Sequence, residues 1–219
     1  MRRIRTAVVT AVAITGLIAT TGVAQAMLTE DVLLTESEAQ QATGYAGALT
    51  RQTLPVATPG LLMRAFDTSD LLPTTFTVIV IDPQGTPAKD ASKGKVDQLQ
   101  EQAKANNPGM ECKIYENKNP KFTVVCWTKD PAMVMAFSSD LKAYTKKKKV
   151  NGRMRNVVFK EILILGQVQR YILAAGSGSE DDTDTGTSAV VTEADRARAA
   201  KEAMGLRDAQ KAKLPAQYS

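Results

Sequence analysis

The sequence predicts an α+β fold of the ferredoxin-like class, a split β-α-β core whose four-stranded antiparallel sheet carries two helices on one face. Three observations point there. Between residues 74 and 175 the elements run strand, helix, strand, strand, helix, strand. A tight hairpin sits at the centre of that order, and β-branched runs alternate with apolar residues at helical spacing.

The first strand is expected from Thr74 to Asp82, a β-branched run that stops at Pro83 and Gly85. Ser92 to Asn106 follows with good helix formers and Val96, Leu99 and Ala103 along one side, and Asn107-Pro108-Gly109 ends it. Met110 to Glu116 and Phe122 to Thr128 read as the paired strands of the hairpin around Asn119. Asp130-Pro131 looks like a helix start, with an N-cap acid and proline at the first helical position. Val134, Phe137, Leu141 and Tyr144 continue it at helical spacing to about Lys146. Met154 to Leu165 closes the core as a strand, and 167–175 fits an edge strand or a final helix equally well.

Around this core, residues 1–26 form a secretory signal. Arg2, Arg3 and Arg5 precede an uncharged run from Thr6 to Ala26, and Ala24-Gln25-Ala26 supplies a small-x-small cleavage pattern. Residues 27–73 are expected as a helix, opened by the capping box Thr35-Glu36-Ser37-Glu38 and reaching about Gln52, then a Pro-punctuated arm. Residues 176–188, rich in Gly, Ser, Thr and Asp, read as a flexible acidic linker, and 189–219 as a tethered Ala- and charge-rich helix.

Cys112 and Cys126 are the only cysteines. Folding the hairpin around Asn119 sets Glu116 opposite Phe122, Ile114 opposite Val124 and Cys112 opposite Cys126, which puts the sulfurs within bonding reach. A disulfide is therefore expected, consistent with an exported, periplasmic or secreted chain. Closing such a loop stabilises a fold by roughly 3 kcal/mol.

Charge is sorted along the chain. Residues 27–72 carry two basic and six acidic side chains, 73–175 carry seventeen and nine, and 176–219 carry six and eight, so the net charges are −4, +8 and −2. The sharpest feature is Lys146, Lys147, Lys148 and Lys149 followed by Arg153 and Arg155, expected at a helix C-terminus where cations complement the dipole. The same cluster is the candidate for an anionic partner such as lipid headgroups or a surface polymer. Nucleic acid is not expected, because removing the signal leaves a net charge of only about +2 and the aromatic residues are sparse.

With no histidine in the chain, the usual general base is absent, and no catalytic, cofactor or metal site is expected. A Ser-Lys pair is conceivable, for example Ser138 or Ser139 with Lys142. Asp82, Asp90, Asp97 and Asp130 read as turn, cap or surface acids, and Glu180-Asp181-Asp182-Thr183-Asp184 lacks the spacing of a calcium loop. A stapled domain with an arm before it and a tethered helix after it predicts a non-enzymatic component of an extracytoplasmic assembly, such as a secretion, conjugation or envelope complex, holding other subunits or further copies of itself. The alternative is a stand-alone secreted protein, an inhibitor or a binder of anionic surfaces through residues 146–155.

Overall fold

A computed structural model describes residues 28–53, 60–82, 91–173 and 190–217. The expected signal (1–26) and acidic linker (176–188) lie outside the described residues.

The ferredoxin-like expectation is overturned. The described chain forms one seven-stranded antiparallel sheet with three α-helices. The elements are α1 (Glu36–Thr43), β1 (Leu49–Arg51), β2 (Leu61–Thr68), β3 (Thr75–Ile81), α2 (Ala91–Asn106), β4 (Glu111–Lys118), β5 (Lys121–Lys129), β6 (Ala132–Val150), β7 (Arg153–Tyr171) and α3 (Glu193–Lys213). Strand order is β1-β2-β3-β7-β6-β5-β4. The first three strands meander, α2 carries the chain to the far edge, and the last four meander back until β7 pairs with β3.

The decisive difference is at residues 132–146, which form the first part of β6 and not a helix. Every residue from Ala132 to Leu141 is buried. Val134 and Ala136 pack with Ala199, Ala203 and Leu206 of α3 on one face, while Met133, Met135, Phe137 and Leu141 pack with Val96 and Leu99 of α2 on the other. A strand covered on both faces reads as a near-continuous apolar run, within which a helical subset is easily found by chance. Asp130-Pro131 is the turn between β5 and β6, not a helix start. Residues 167–171 continue β7, which lies at the centre of the sheet and not at an edge.

The end of the segment expected as a helix forms β1, and the segment expected as an arm contributes β2. Arg64 of β2 is buried and donates to the carbonyls of Glu30, Leu33 and Leu34, tying the N-terminal segment to the sheet. The capping box at Thr35 and Glu38 does open α1, but the helix stops at Thr43, where Gly44 takes a left-handed conformation (φ 71°). The helix expected to be tethered is α3, opened by a second capping box of Thr192 and Asp195. It lies on the sheet with α1 beside it, and two glycines permit the contact. A Cβ on Gly166 of β7 would meet the backbone of α3, and one on Gly205 of α3 would meet the Ala42 carbonyl of α1.

The hairpin β4–β5 carries the disulfide Cys112–Cys126, with Cα atoms 4.0 Å apart. Ile114 faces Val124 as the sequence implies, but a bulge after Ile114 sets Glu116 against Thr123 and Asn117 against Phe122.

Candidate anion-binding ribbon

Two of the buried polar clusters and one exposed basic ribbon contain residues singled out from the sequence. The first cluster joins α3 to the sheet. Arg207, 1% exposed, donates to Glu116 (2.5 Å) and to the Ser138 hydroxyl (2.8 Å), and also pairs with Asp208. Burial works against the Arg207 charge, but the Asp208 and Glu116 carboxylates outweigh it and raise the Arg207 pKa. Burial likewise pushes Asp208 up, yet Arg207 and Lys121 hold it below the usual carboxylate range. Asp140, fully buried, accepts from Lys211 (2.7 Å) and from the Leu141 amide. The second cluster lies under α2, where the Ser92 and Ser139 hydroxyls are 2.6 Å apart.

These contacts answer the question of a Ser-Lys pair. Ser138 and Lys142 share a strand face but stand about 13 Å apart along it, and Lys142 donates to the carbonyls of Lys211 and Leu214 at the end of α3. Ser139 points to the opposite face, toward Ser92. Burial and then Lys211 lower the Lys142 pKa, but its partners are backbone oxygens and not a hydroxyl. Among the other acids singled out, Asp82 is buried against Lys160 and Asp97 pairs with Lys93 on α2. Among the described residues no group of three or more His, Cys, Asp or Glu side chains could hold a metal ion.

The six cations lie on a hairpin, not at a helix end. β6 and β7 are each 19 residues long and outrun their neighbours: β5 pairs with β6 only as far as Ser139, and β3 with β7 only from Leu163. Beyond that the two strands continue as a ribbon with no further strand beside it among the described residues, closed by Asn151 and Gly152 at φ 49° and 77°. Two successive left-handed residues make the two-residue turn whose twist suits a hairpin, and Asn-Gly is its preferred sequence. From Thr145 to Val150 the ribbon extends about 17 Å. Its root is held by the buried Lys160–Asp82 pair and by the Tyr144 hydroxyl donating to Pro215 (3.0 Å).

Register sorts the side chains, because directly opposed residues share a face. Lys146 faces Val157, Lys148 faces Arg155 and Val150 faces Arg153, so Lys146, Lys148, Arg153 and Arg155 lie on one face with the half-buried Val150 and Val157. Lys147 faces Asn156, Lys149 faces Met154 and Thr145 faces Val158, so the other face holds two lysines with two apolar side chains. No Asp or Glu occurs from 141 to 160. None of the six cations joins an ion pair among the described residues, whereas most of the remaining cations do, including Lys113, Lys121, Arg170 and Lys213. The Lys146 ammonium stands 5.0 Å from the Phe159 ring. Charges crowded this way repel each other and lower the cost of accepting an anion.

No protein-family model, curated protein sequence or solved structure matches this chain. No described helix is long and apolar enough to cross a membrane.

Proposed function

We propose that this is an exported binding protein that attaches to a polyanionic partner through the β6–β7 ribbon and does so without catalysis. One observation carries the proposal: six cations with no ion-pair partner among the described residues are held in register on a two-stranded ribbon that runs on past the neighbouring strands. A scaffold that fixes charges in place loses less conformational freedom on binding than a loose basic tail does. Export is supported by the basic and apolar start of the chain and by the disulfide. The features that favoured an assembly component, an arm and a tethered helix, are β2 and α3 in the folded chain, both packed into the body. The ribbon is then the part best placed to meet a partner.

The test is retention on an immobilised sulfated polymer. The protein should elute only at raised salt, and replacing Lys146, Lys147, Lys148 and Lys149 by glutamine should bring it off near physiological salt. Equal elution of the two proteins would contradict the proposal.

A further inference from the structure

We propose, building on the anion-binding role of the ribbon, that its partner is a bilayer leaflet rich in anionic phospholipid, entered by Met154 and Val158. A partner that is only a charged polymer gives no reason for large apolar side chains among the cations. Yet Met154 is 63% exposed and Val158 41% exposed, on the face that also bears Lys147 and Lys149. They are two of the few large apolar side chains that the described residues leave exposed. Apolar groups flanked by lysine and arginine match the boundary between acyl chains and phosphates, where each kind of group finds its own medium.

Long side chains favour this arrangement. Lysine stems lie along apolar surface while the ammonium reaches back to the phosphates. Lys149 directly opposes Met154, so both can enter together with the ammonium at headgroup height. The opposite face, with Lys146, Lys148, Arg153 and Arg155, stays on the headgroup side and meets phosphates of the same leaflet. The open backbone edges of the ribbon remain among headgroups and water, where their amides and carbonyls are satisfied. This places the ribbon flat on the surface and not across the bilayer.

The purified, disulfide-bonded protein is sedimented with phosphatidylglycerol-containing vesicles, with neutral phosphatidylcholine vesicles, and titrated separately with dextran sulfate. Binding to the anionic and not to the neutral vesicles is expected, weakened by salt, together with binding to dextran sulfate. Replacing the four lysines by glutamine should weaken it roughly a thousandfold. Met154→Ser with Val158→Ser should weaken vesicle binding roughly tenfold and leave dextran sulfate binding unchanged. Both variants lie outside the two core clusters, and unchanged thermal midpoints verify folding. A third variant, Met154→Trp, reads insertion directly as a blue shift of its fluorescence on anionic vesicles. Dextran sulfate binding without vesicle binding, or vesicle binding indifferent to Met154→Ser with Val158→Ser, overturns the membrane assignment and leaves the anion-binding role standing. Binding to neither overturns both.

Discussion

Replacing Gly166 by alanine perturbs the contact on which the position of α3 depends. The added methyl would sit 2.8 Å from the Arg207 amide nitrogen and 3.0 Å from the Leu206 Cβ, and nearer still to the Ala203 carbonyl oxygen. Backbone cannot rotate aside as a flexible side chain can, so α3 must lift. Overpacking of this kind costs about 1–3 kcal/mol. Lifting also lengthens the bonds from Arg207 to Ser138 and from Lys211 to Asp140, both 2.7–2.8 Å, and each buried group left unsatisfied costs about 1–3 kcal/mol. A total near 3 kcal/mol follows if one such bond is lost, which lowers the melting temperature by roughly 6–12 °C in a chain of this size. Urea unfolding gives the free energy and thermal circular dichroism the midpoint. Gly94→Ala is the matched control, since nothing lies within 4 Å of its Cβ position on α2, and there alanine should stabilise by up to about 1 kcal/mol. A Gly166→Ala protein within about 0.5 kcal/mol of the parent would refute the close-packing account of α3.

Three further outcomes follow from the same structure. Cys112→Ser with Cys126→Ser should cost roughly 3 kcal/mol in urea unfolding while leaving the sheet signal in circular dichroism intact. Lys211→Met leaves the fully buried Asp140 without its cation and should destabilise by about 3–5 kcal/mol, a loss that Asp140→Asn in the same chain should partly restore. Tyr115 donates to Glu193 (2.7 Å), and burial together with that carboxylate pushes its pKa up from 10 to about 12. The folded state thus holds this proton longer than the unfolded chain. Its contribution is fully present below pH 10 and is lost as pH rises from 10 through 12. Urea midpoints at successive alkaline pH should fall more steeply for the parent than for Tyr115→Phe.

Local chemistry made parts of this fold readable. The Thr35 capping box, the apolar side of α2 and the opposed cysteines each depend on residues close in sequence; the first marks the start of α1 and not its end, and the other two predict their elements within a few positions. β6 was illegible for a physical reason. With helices on both faces it has no polar side to mark a period of two, and Val134, Phe137, Leu141 and Tyr144 imitate a helix stripe. Asn151-Gly152 was the available signal against that helix: an Asn-Gly pair between two strand-like runs marks a hairpin, and it would have moved the lysines from a helix end onto a ribbon. β2 was hidden because Leu61–Thr68 carries a buried arginine, whose partners are backbone carbonyls some thirty residues earlier. The strand order lay beyond local patterns altogether, since α2 and three strands separate β3 from β7 in the chain. The basic cluster itself was evident from composition. What the fold adds is register, which divides it into a face with four cations and two half-buried valines and a face with two lysines and the exposed Met154 and Val158.

The most direct test of the ribbon as an anion-binding element is the salt dependence of its affinity for a linear polyanion such as dextran sulfate. Plotted as the logarithm of the binding constant against the logarithm of salt concentration, six neutralising cations should give a slope of roughly −4 to −5. The protein with Lys146, Lys147, Lys148 and Lys149 changed to glutamine keeps Arg153 and Arg155 and should give roughly −2. Two parallel lines, or a parent slope near zero, would show that the charges on the ribbon do not meet the anion.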